Sequence, residues 1–378
     1  MKYFPLVAFW LMICNVSQAQ VTLIDSIMHG GLMRTYRVYI PAVYNGSNAV
    51  PLVLNLHGYT SNGMQQEMYA DFRPIADTAN FIIAHPDGSF DANNNRFWNA
   101  FGAATPDDQG FLSALLDTII AHYNINQNRI YSTGMSNGGY MSYLLACGMS
   151  ERIAAIASVT GTMTPSMKVN CMPMHPMPVM LMHGTADPVV PFIGNASGLS
   201  IDSVVKYWVE INHCNATPIY TAVPDLVLGD GCTAAHYLYQ GGDKGSTVEF
   251  YKIIGGGHTW PGAPIAVGVT NMDINGSKEI WRFFSKYSLD YLTSGLPNTV
   301  ANELEPILVY PNPSFKKCSV YFTNSEKKDI TILSEFGQHI QSVQSTETAF
   351  HFEIANPGIY FLRVITKDGV QTQKVLIY

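Results

Sequence analysis

The chain has 378 residues, of which 47% are hydrophobic and 13% charged, and its formal net charge is −7. This length predicts two or more domains, and the apolar fraction is high enough to fill their cores and to exclude long disorder. The negative charge, with no cluster of lysines and arginines, excludes nucleic acid and anionic membrane surfaces as partners, because binding phosphate needs concentrated positive charge.

The first 19 residues have the layout of an export signal. A lysine follows the initiator methionine, residues 5–14 form an apolar run, and Ser17 and Ala19 provide a small-x-small cleavage pattern. The run is too short to span a bilayer, so we expect no membrane segment in the mature chain. Cys14 raises the alternative of a lipoprotein, but the bulky Ile13 precedes it where such signals carry a small residue. We therefore expect cleavage after Ala19.

From residue 36 to about 296, short apolar runs alternate with helical stretches. The apolar runs predict strands at residues 37–40, 52–56, 81–84, 129–132, 154–159, 179–182 and 248–253. Apolar residues at helical spacing predict helices over 111–123, behind the acidic pair Asp107 and Asp108, and over 140–147. Alternating strands and helices predict an α/β fold with a mostly parallel sheet covered on both faces.

Ser136 is the candidate nucleophile. It is the centre of the sequence GMSNG at residues 134–138, between the predicted strand 129–132 and the predicted helix 140–147. Such a turn lifts the serine hydroxyl above the sheet, and it needs glycines where side chains would collide with neighbouring backbone. The pentapeptide alone is weak evidence for a catalytic serine. Its place between a strand and a helix, however, favours catalysis over a purely structural turn.

A serine hydroxyl needs a base, and in this kind of fold an acid and then a histidine follow the serine along the chain. Asp187 lies in the loop after the predicted strand 179–182 and is the candidate acid, with a turn-capping aspartate as the alternative. His258 follows the predicted strand 248–253 and three glycines, which permit close approach to another loop, so it is the candidate base. Other histidines lack this combination of position, flexibility and chain order: His57, His85, His122, His175, His183, His213 and His236.

The transition state of acyl transfer needs backbone N–H donors for its oxyanion. The backbone of Asn137 is one candidate donor, and that of Tyr59, after the predicted strand 52–56, is the other, with a plain strand-ending turn as the alternative. Trp98 and Trp260 are candidate aromatic walls for an acyl group or polymer, with a place in the core as the alternative. We expect no cofactor and no metal, because no Cys-x-x-Cys or Cys/His cluster has ligand spacing.

Five cysteines remain after the signal, and an oxidising compartment predicts disulfides among them. The simplest pairing joins sequence neighbours, Cys147 with Cys171 and Cys214 with Cys232, and does not include Cys318. The sequence by itself leaves the other pairings open.

After residue 296 the pattern changes. Residues 297–304 contain Pro297-Asn298 and the polar pair Asn302-Glu303, which is typical of a linker. Residues 305–378 contain only short alternating runs separated by turn residues, which predicts a small all-β sandwich. We therefore expect a signal peptide at 1–19, an α/β domain at 20–296, a linker at 297–304 and a sandwich at 305–378.

Several stretches between residues 52 and 262 carry a family resemblance: LHGYTSN, HPDG with FWNAF, DDQGFLSALLDTI, NRIYSTGMSNGGYMSYLLAC, HGTADPVVPF and GGGHTWPG. Together they resemble the secreted esterases that include polyhydroxybutyrate depolymerases, feruloyl esterases and acetylxylan esterases, the first carbohydrate-esterase family. The resemblance implies an α/β-hydrolase fold. It also implies the following residue roles: a triad of Ser136, Asp187 and His258, an oxyanion hole at Tyr59 and Asn137, and disulfides near Cys147–Cys171 and Cys214–Cys232. Tyr59 departs from the smaller residue often found after His-Gly in this family.

The C-terminal stretches VYPNPS, GIYFLRV and the basic-apolar end at 374–378 resemble the sorting domain of Bacteroidetes type IX secretion. This resemblance implies export through the inner membrane, folding in the periplasm, and passage across the outer membrane with the secretion machinery as partner. The domain is then cleaved or serves as an anchor. A carbohydrate-binding sandwich is the alternative, disfavoured by the terminal motif and by the expectation that few aromatic residues are exposed.

These features predict a secreted or cell-surface serine ester hydrolase that acts through an acyl-enzyme. The resemblance implies feruloyl or acetyl groups on plant cell-wall polysaccharide as the substrate, with a polyester such as polyhydroxybutyrate as the alternative. A non-catalytic glycan-binding surface protein is a further alternative, against which a complete set of catalytic residues argues. A peptidase of the same fold is another, although nothing resembles a propeller or lid domain.

Overall fold

The chain divides into two units, Met1–Gly295 and Leu296–Tyr378, and each is described by itself. The computed structural model describes residues 20–102, 105–293, 308–310, 312, 314–322, 325–334, 338–366 and 369–378. The expected signal peptide at 1–19 and linker at 297–304 lie outside the described residues.

A ten-stranded sheet forms the centre of the first unit, in the order β1-β2-β4-β3-β7-β8-β9-β12-β11-β10. The strands of this unit, including the separate small ribbon β5–β6, are β1 Val21–His29, β2 Leu32–Ile40, β3 Val50–Leu56, β4 Ile82–Pro86, β5 Ser89–Phe90, β6 Arg96–Phe97, β7 Ile125–Met135, β8 Ala155–Val159, β9 Val179–Gly184, β10 Ile219–Ala222, β11 Thr233–Tyr239 and β12 Val248–Ile254. The six middle strands are parallel, and the pairs at the two edges are antiparallel.

The middle strands are buried along their whole length, as β3, β4, β8 and β9 illustrate. Helices cover both faces, as expected for a parallel sheet. They are α1 Gly63–Tyr69, α2 Arg73–Ala79, α3 Asp108–His122, α4 Asn137–Gly148, α5 Pro165–Asn170, α6 Ile201–Ile211, α7 Gly276–Phe284 and α8 Leu289–Thr293. Along β3, Leu52 and Leu54 enter the core under α3, α4 and α6, whereas Val53 enters the core under α2, α7 and α8.

This architecture confirms the predicted α/β-hydrolase fold. The sequence missed β1, β10 and β11 at the sheet edges. All four residues of β10 are exposed, and most residues of β1 are as well, so neither strand carries the alternating pattern that identifies a half-buried strand.

The first predicted disulfide is present. Cys147 in the last turn of α4 is bonded to Cys171, directly after α5. The bond therefore ties the helix that follows Ser136 to the next helix along the chain.

The second predicted disulfide, between Cys214 and Cys232, is wrong, because neither residue is bonded to another cysteine. Asn215 donates a backbone hydrogen bond to Gln240, just beyond one end of the seven-residue strand β11, whereas Cys232 precedes the other end. Such a strand is roughly 23 Å long at about 3.3 Å per residue. A disulfide needs Cα atoms within about 7 Å of each other, so these two cysteines are too far apart.

The second unit has two antiparallel sheets around one core, which confirms the predicted all-β sandwich. Their orders are β13-β14-β17 and β16-β15-β18-β19. The strands are β13 Leu308–Tyr310, β14 Lys317–Tyr321, β15 Lys328–Ser334, β16 His339–Ser345, β17 Ala349–Glu353, β18 Gly358–Thr366 and β19 Gly369–Ile377. Val320 and Phe352 from the first sheet pack in one cluster with Ile330 and Leu362 from the second.

Within the described parts of the chain, no helix is both long enough and apolar enough to span a membrane. Nor do the residues described there include a group of three or more His, Cys, Asp and Glu side chains placed to hold a metal ion.

Candidate active site

Ser136 occupies a sharp turn between β7 and α4. Its backbone has φ +54° and ψ −117°, a region that residues with a side chain rarely adopt. The turn is held by a hydrogen bond from the Ser136 N–H to the carbonyl of Val159, at 2.8 Å, and by one from the Tyr140 N–H to the Ser136 carbonyl, at 3.0 Å. Strained backbone that its surroundings maintain is typical of a functional residue.

The glycines on either side of Ser136 are required by a close approach of the turn to β3. A Cβ atom on Gly138 would lie 2.2 Å from the carbonyl oxygen of Leu56, and one on Gly134 would lie 2.6 Å from it. Any side chain at these positions would push the turn away from the end of β3. The pattern GMSNG therefore reflects packing as well as chemistry.

Asp187 follows β9, and its carboxylate is buried. One carboxylate oxygen, Oδ1, accepts the N–H groups of Val189 and Val190 at 2.8 and 2.9 Å. The other, Oδ2, lies 2.7 Å from Nδ1 of His258. Burial by itself would raise the pKa of Asp187, but the hydrogen bond and charge of His258, with the two N–H groups, hold that pKa below its usual value.

His258 follows β12 on a loop fixed by the Gly257 N–H, which donates to the carbonyl of Val269 at 2.9 Å. Because Asp187 is ionised and can only accept, the His258 proton lies on Nδ1. Ser136, Asp187 and His258 follow β7, β9 and β12, which belong to one run of parallel strands. The carboxyl ends of parallel strands meet at one edge of the sheet, so all three residues belong to the same edge.

His183 is a buried histidine beside this pair, and the sequence did not single it out. Its Nε2 lies 2.8 Å from the carbonyl of Val190 and 3.4 Å from Oδ2 of Asp187. Burial lowers the pKa of His183, so the ring is neutral and donates from Nε2 to the loop that carries the aspartate.

The two backbone groups expected to bind an oxyanion flank Ser136. Asn137 is the first residue of α4, where backbone N–H groups have no partner within the helix. On the other side, a Cβ atom on Gly58 would lie 3.5 Å from Cβ of Ser136, which places the peptide between Gly58 and Tyr59 next to the serine.

His57 holds the carbonyl of Gly58 in place. Its Nδ1 donates to that carbonyl at 2.7 Å, and its Nε2 accepts the Gly88 N–H at 2.9 Å. Burial lowers the pKa of His57 to about 4, which keeps the ring neutral and Nε2 able to accept. Because the carbonyl and the N–H of one peptide point in opposite directions, this hydrogen bond also fixes the direction of the Tyr59 N–H.

The Tyr59 side chain ties the same loop to the β5–β6 ribbon. Its hydroxyl donates to Asp91 at 2.6 Å and accepts from the side-chain amide of Asn95 at 2.9 Å. The next residue, Thr60, donates its N–H to the carbonyl of Arg96 at 2.8 Å. Tyr59, the large residue after His-Gly, therefore anchors its loop to the ribbon through its hydroxyl group, although 47% of its surface is exposed.

Trp98 is not a substrate wall, because its side chain is completely buried. Its indole N–H donates to the carbonyl of His57 at 3.0 Å. Its backbone N–H and carbonyl bond to the side-chain amide of Asn137, at 2.6 and 2.9 Å. Trp98 thus joins the two segments that flank Ser136.

Trp260 is also buried, with 1% of its surface exposed. Its indole N–H donates to Ser277 in α7, and its ring packs edge-on against Phe72. The expectation that Trp98 and Trp260 form aromatic walls for substrate is therefore wrong, and both take the alternative place in the core.

A different aromatic pair lies near Ser136. Phe101 is 53% exposed, and its ring centroid is 5.3 Å from that of Tyr140, one helical turn after Ser136. Burial, followed by the charge of Asp187, raises the pKa of Tyr140 to about 12. Phe101 lies in the same stretch, FWNAF, as Trp98, but the sequence alone does not show which of the two aromatic residues is exposed.

Residues 34–204 match the family model described as Esterase PHB depolymerase, and residues 308–378 match the one described as Secretion system C-terminal sorting domain. The bifunctional acetylxylan esterase/xylanase XynS20E of Neocallimastix patriciarum is 26% identical over 74% of this chain, which spans only 37% of that protein. Feruloyl esterase D of Neurospora crassa is 26% identical over 68% of this chain and 83% of its own length. The structure of an acetyl xylan esterase from Aspergillus awamori is 14% identical, with a TM-score of 0.50 over 70% of this chain and 99% of that one, and shares the fold.

The fold and these relatives define a carboxylic ester hydrolase. The chain carries an Esterase PHB depolymerase domain followed by a secretion-system sorting domain. It is therefore a secreted or cell-surface protein.

Proposed function

We propose that this protein is a serine esterase that removes feruloyl or acetyl groups from plant cell-wall polysaccharide, with Ser136 as nucleophile, His258 as base and Asp187 as acid. The observation that carries the proposal is the 2.7 Å contact between Nδ1 of His258 and the buried carboxylate of Asp187, at the sheet edge that also carries the strained Ser136 turn.

In the first half of the reaction, the Ser136 hydroxyl attacks the ester carbonyl while Nε2 of His258 takes its proton. The imidazolium cation is stabilised by Asp187, which is ionised and already oriented. When the tetrahedral intermediate collapses, the bond to the alcohol oxygen breaks and His258 returns the proton to that oxygen. The acyl group remains on Ser136.

The negative charge on the carbonyl oxygen is met by the backbone N–H groups of Tyr59 and Asn137. Hydrogen-bond donors that are fixed before the reaction stabilise the oxyanion more than mobile water does. Losing one such donor typically lowers kcat by a factor of about 10²–10³. Support for this assignment comes from the contacts that hold the two segments, from His57 to Gly58 and from Trp98 to Asn137.

In the second half, a water molecule attacks the acyl-enzyme and gives its proton to His258. The same two N–H groups hold the second oxyanion. Collapse breaks the bond to Ser136, which recovers its proton from His258, and the free acid leaves. No group beyond the chain and water is needed to balance the atoms or protons.

The choice of acyl group is supported by two observations. The relatives named above include an acetylxylan esterase/xylanase and a feruloyl esterase. The half-exposed ring of Phe101, packed on Tyr140 beside the nucleophile, offers an aromatic face to a feruloyl ring.

A polyester such as polyhydroxybutyrate is the second candidate substrate, and a specific surface feature favours it. Ile265 and Val267 are 64% and 61% exposed, and they lie on the loop whose Val269 carbonyl holds Gly257, next to His258. Exposed apolar residues grouped beside a reactive histidine suit an apolar polymer chain. The family description of residues 34–204 points the same way.

We further propose that residues 20–296 form the catalytic domain and 305–378 a type IX sorting domain that reaches the outer membrane through the periplasm. The match of residues 308–378 to a secretion-system sorting domain supports this division.

The catalytic assignment is tested by Ser136→Ala and His258→Ala, with His122→Ala as the control because His122 is exposed on α3. Both catalytic variants lose hydrolysis of p-nitrophenyl acetate by a comparable factor, because triad members act as a unit, whereas the control retains it. Labelling by a fluorophosphonate, lost in Ser136→Ala, separates an enzyme from a non-catalytic glycan-binding protein. Full turnover by Ser136→Ala would overturn the assignment.

The substrate is tested by assaying methyl ferulate, acetylated xylan and polyhydroxybutyrate side by side. Release of ferulate or acetate with no erosion of the polyester is the expected result. Erosion of polyhydroxybutyrate alone would replace the first candidate by the second.

A further inference from the structure

A groove of about 440 Å³ lies between α6 and the antiparallel end of the main sheet, and the reaction outlined above makes no use of it. Its sheet side is formed by the aromatic residues Tyr237 and Tyr239 of β11 and Phe250 of β12. Its size is within the range typical of small-molecule sites, about 300–1,000 Å³. We call it the α6 groove.

On the aromatic side of the α6 groove, Tyr237 and Tyr239 are partly exposed and Phe250 is buried. The rings of Tyr237 and Phe250 are stacked, with centroids 5.9 Å apart and planes 24° from parallel. Tyr239 is two residues from Tyr237 on the same face of its strand. Aromatic faces of this kind bind the C–H surfaces of sugar rings.

The charged residues of the groove balance each other. Asp202 and Glu210 line it together with Lys206 and Lys252, so the lining carries two negative and two positive side chains. Such a lining gives no net attraction to a phosphate or a carboxylate. It does offer both acceptors and donors, which is what the hydroxyl groups of a neutral sugar need.

A row of rings connects the groove with the catalytic loop. Phe250 is followed by Phe192 at 6.3 Å, and Phe192 by His183 at 6.2 Å. His183 in turn lies 3.4 Å from the carboxylate of Asp187. The Lys252 ammonium lies over the Phe192 ring at 4.8 Å, so the charged rim continues toward the active site.

We propose that the α6 groove is a binding site for a neutral stretch of the polysaccharide main chain, flanking the sugar whose ester is hydrolysed at Ser136. The proposal rests on the esterase function proposed above and adds to it a second contact with the same polymer. Because the groove is separate from the reacting atoms, it increases the affinity for polymer and does not affect the hydrolysis of small esters.

Binding is tested on the full chain with Ser136→Ala, using xylohexaose as the probe and titration calorimetry as the measurement. Ala216 lines the groove and is exposed, so Ala216→Trp fills the groove without removing a contact in the core. Ala121→Trp, on the exposed surface of α3, is the matched control. We expect Ala216→Trp to raise the Kd for xylohexaose at least tenfold and Ala121→Trp to leave it unchanged. Tyr239→Ala, which removes one aromatic face, is expected to weaken binding in the same direction.

The same substitutions in the active enzyme give the second readout. Ala216→Trp is expected to raise KM for acetylated xylan severalfold and to leave p-nitrophenyl acetate hydrolysis unchanged. No binding of xylohexaose to Ser136→Ala, or equal binding by the two tryptophan variants, would overturn the inference. Failure of the proposed function looks different, because the wild-type protein would then bind xylohexaose yet hydrolyse no ester.

Discussion

His57 is not a member of the proposed triad. Its two hydrogen bonds nevertheless predict that replacing it lowers kcat. The substitution His57→Ala removes the donor to the Gly58 carbonyl and the acceptor of the Gly88 N–H. The Gly58 carbonyl then keeps only the longer hydrogen bond, 3.2 Å from the Ser61 N–H, so the Gly58–Tyr59 peptide is held less firmly. The Tyr59 N–H, which we propose binds the oxyanion, is held less firmly with it.

The His57→Ala substitution affects both the stability of the protein and kcat. The Gly88 N–H is left without a partner, whereas the Gly58 carbonyl still accepts the Ser61 N–H at 3.2 Å. One buried backbone group without a partner costs about 1–3 kcal/mol of stability. A typical domain has about 5–15 kcal/mol, so the variant remains folded at low temperature. Loss of one oxyanion donor lowers kcat by about 10²–10³, while KM changes little, because the oxyanion exists only in the transition state.

His85→Ala is the matched control. His85 is also completely buried with a pKa lowered to about 4 by burial, but neither of its ring nitrogens has a hydrogen-bond partner within the described residues. The control should lose stability through its cavity and keep kcat within a few fold of the wild type. The assay is steady-state hydrolysis of p-nitrophenyl acetate at 15 °C, with folding checked by circular dichroism. A folded His57→Ala protein with the kcat of the control would refute the role given to His57.

Three further predictions concern stability and the second oxyanion segment. Because burial lowers the pKa of both His57 and His85 from 6.5 to about 4, the unfolded chain takes up protons that the native chain does not. Stability therefore falls as the pH drops from 6.5 to 4, by about 3 kcal/mol for each histidine, which urea unfolding at several pH values measures. Cys147→Ser removes a disulfide between residues 24 apart and should cost about 3 kcal/mol, seen as a lower Tm, whereas Cys214→Ser should not lower it. Asn137→Ala keeps the backbone N–H but loses both side-chain bonds to Trp98, and kcat for p-nitrophenyl acetate should fall about tenfold, a result that unchanged turnover would contradict.

The middle of the sheet and the placement of the candidate site residues in loops after its strands could be predicted because their signals are local. A parallel strand buried on both faces is a continuous apolar run, as at 52–56 and 179–182, and needs no knowledge of the rest of the chain. Once those strands are placed, the loops after them follow. Asp187 and His258 are then the acidic residue and the histidine in the right loops, and the structure brings them to 2.7 Å.

The remaining features depend on contacts between distant segments. Trp98 and Phe101 lie three residues apart in one stretch, yet one is completely buried and the other 53% exposed. Spacing along the chain does not distinguish the two when no regular helix or strand contains both. Cys214 and Cys232 are near in sequence, but β11 separates them in space. The hydrogen bond from His57 to Gly58 joins neighbouring residues. The orientation of the His57 ring, however, also depends on the N–H of Gly88, which lies in another loop.

The backbone of Ser136 carries a consequence for how this protein evolves. Its φ of +54° suits glycine better than serine, so Ser136→Gly relieves strain of about 1–3 kcal/mol, set against the greater flexibility that glycine gives the unfolded chain. A lineage that no longer needed ester hydrolysis could replace this serine and lose nothing in folding. The Ser136 side chain is therefore held against the conformational preference of its own backbone, which glycine would satisfy better.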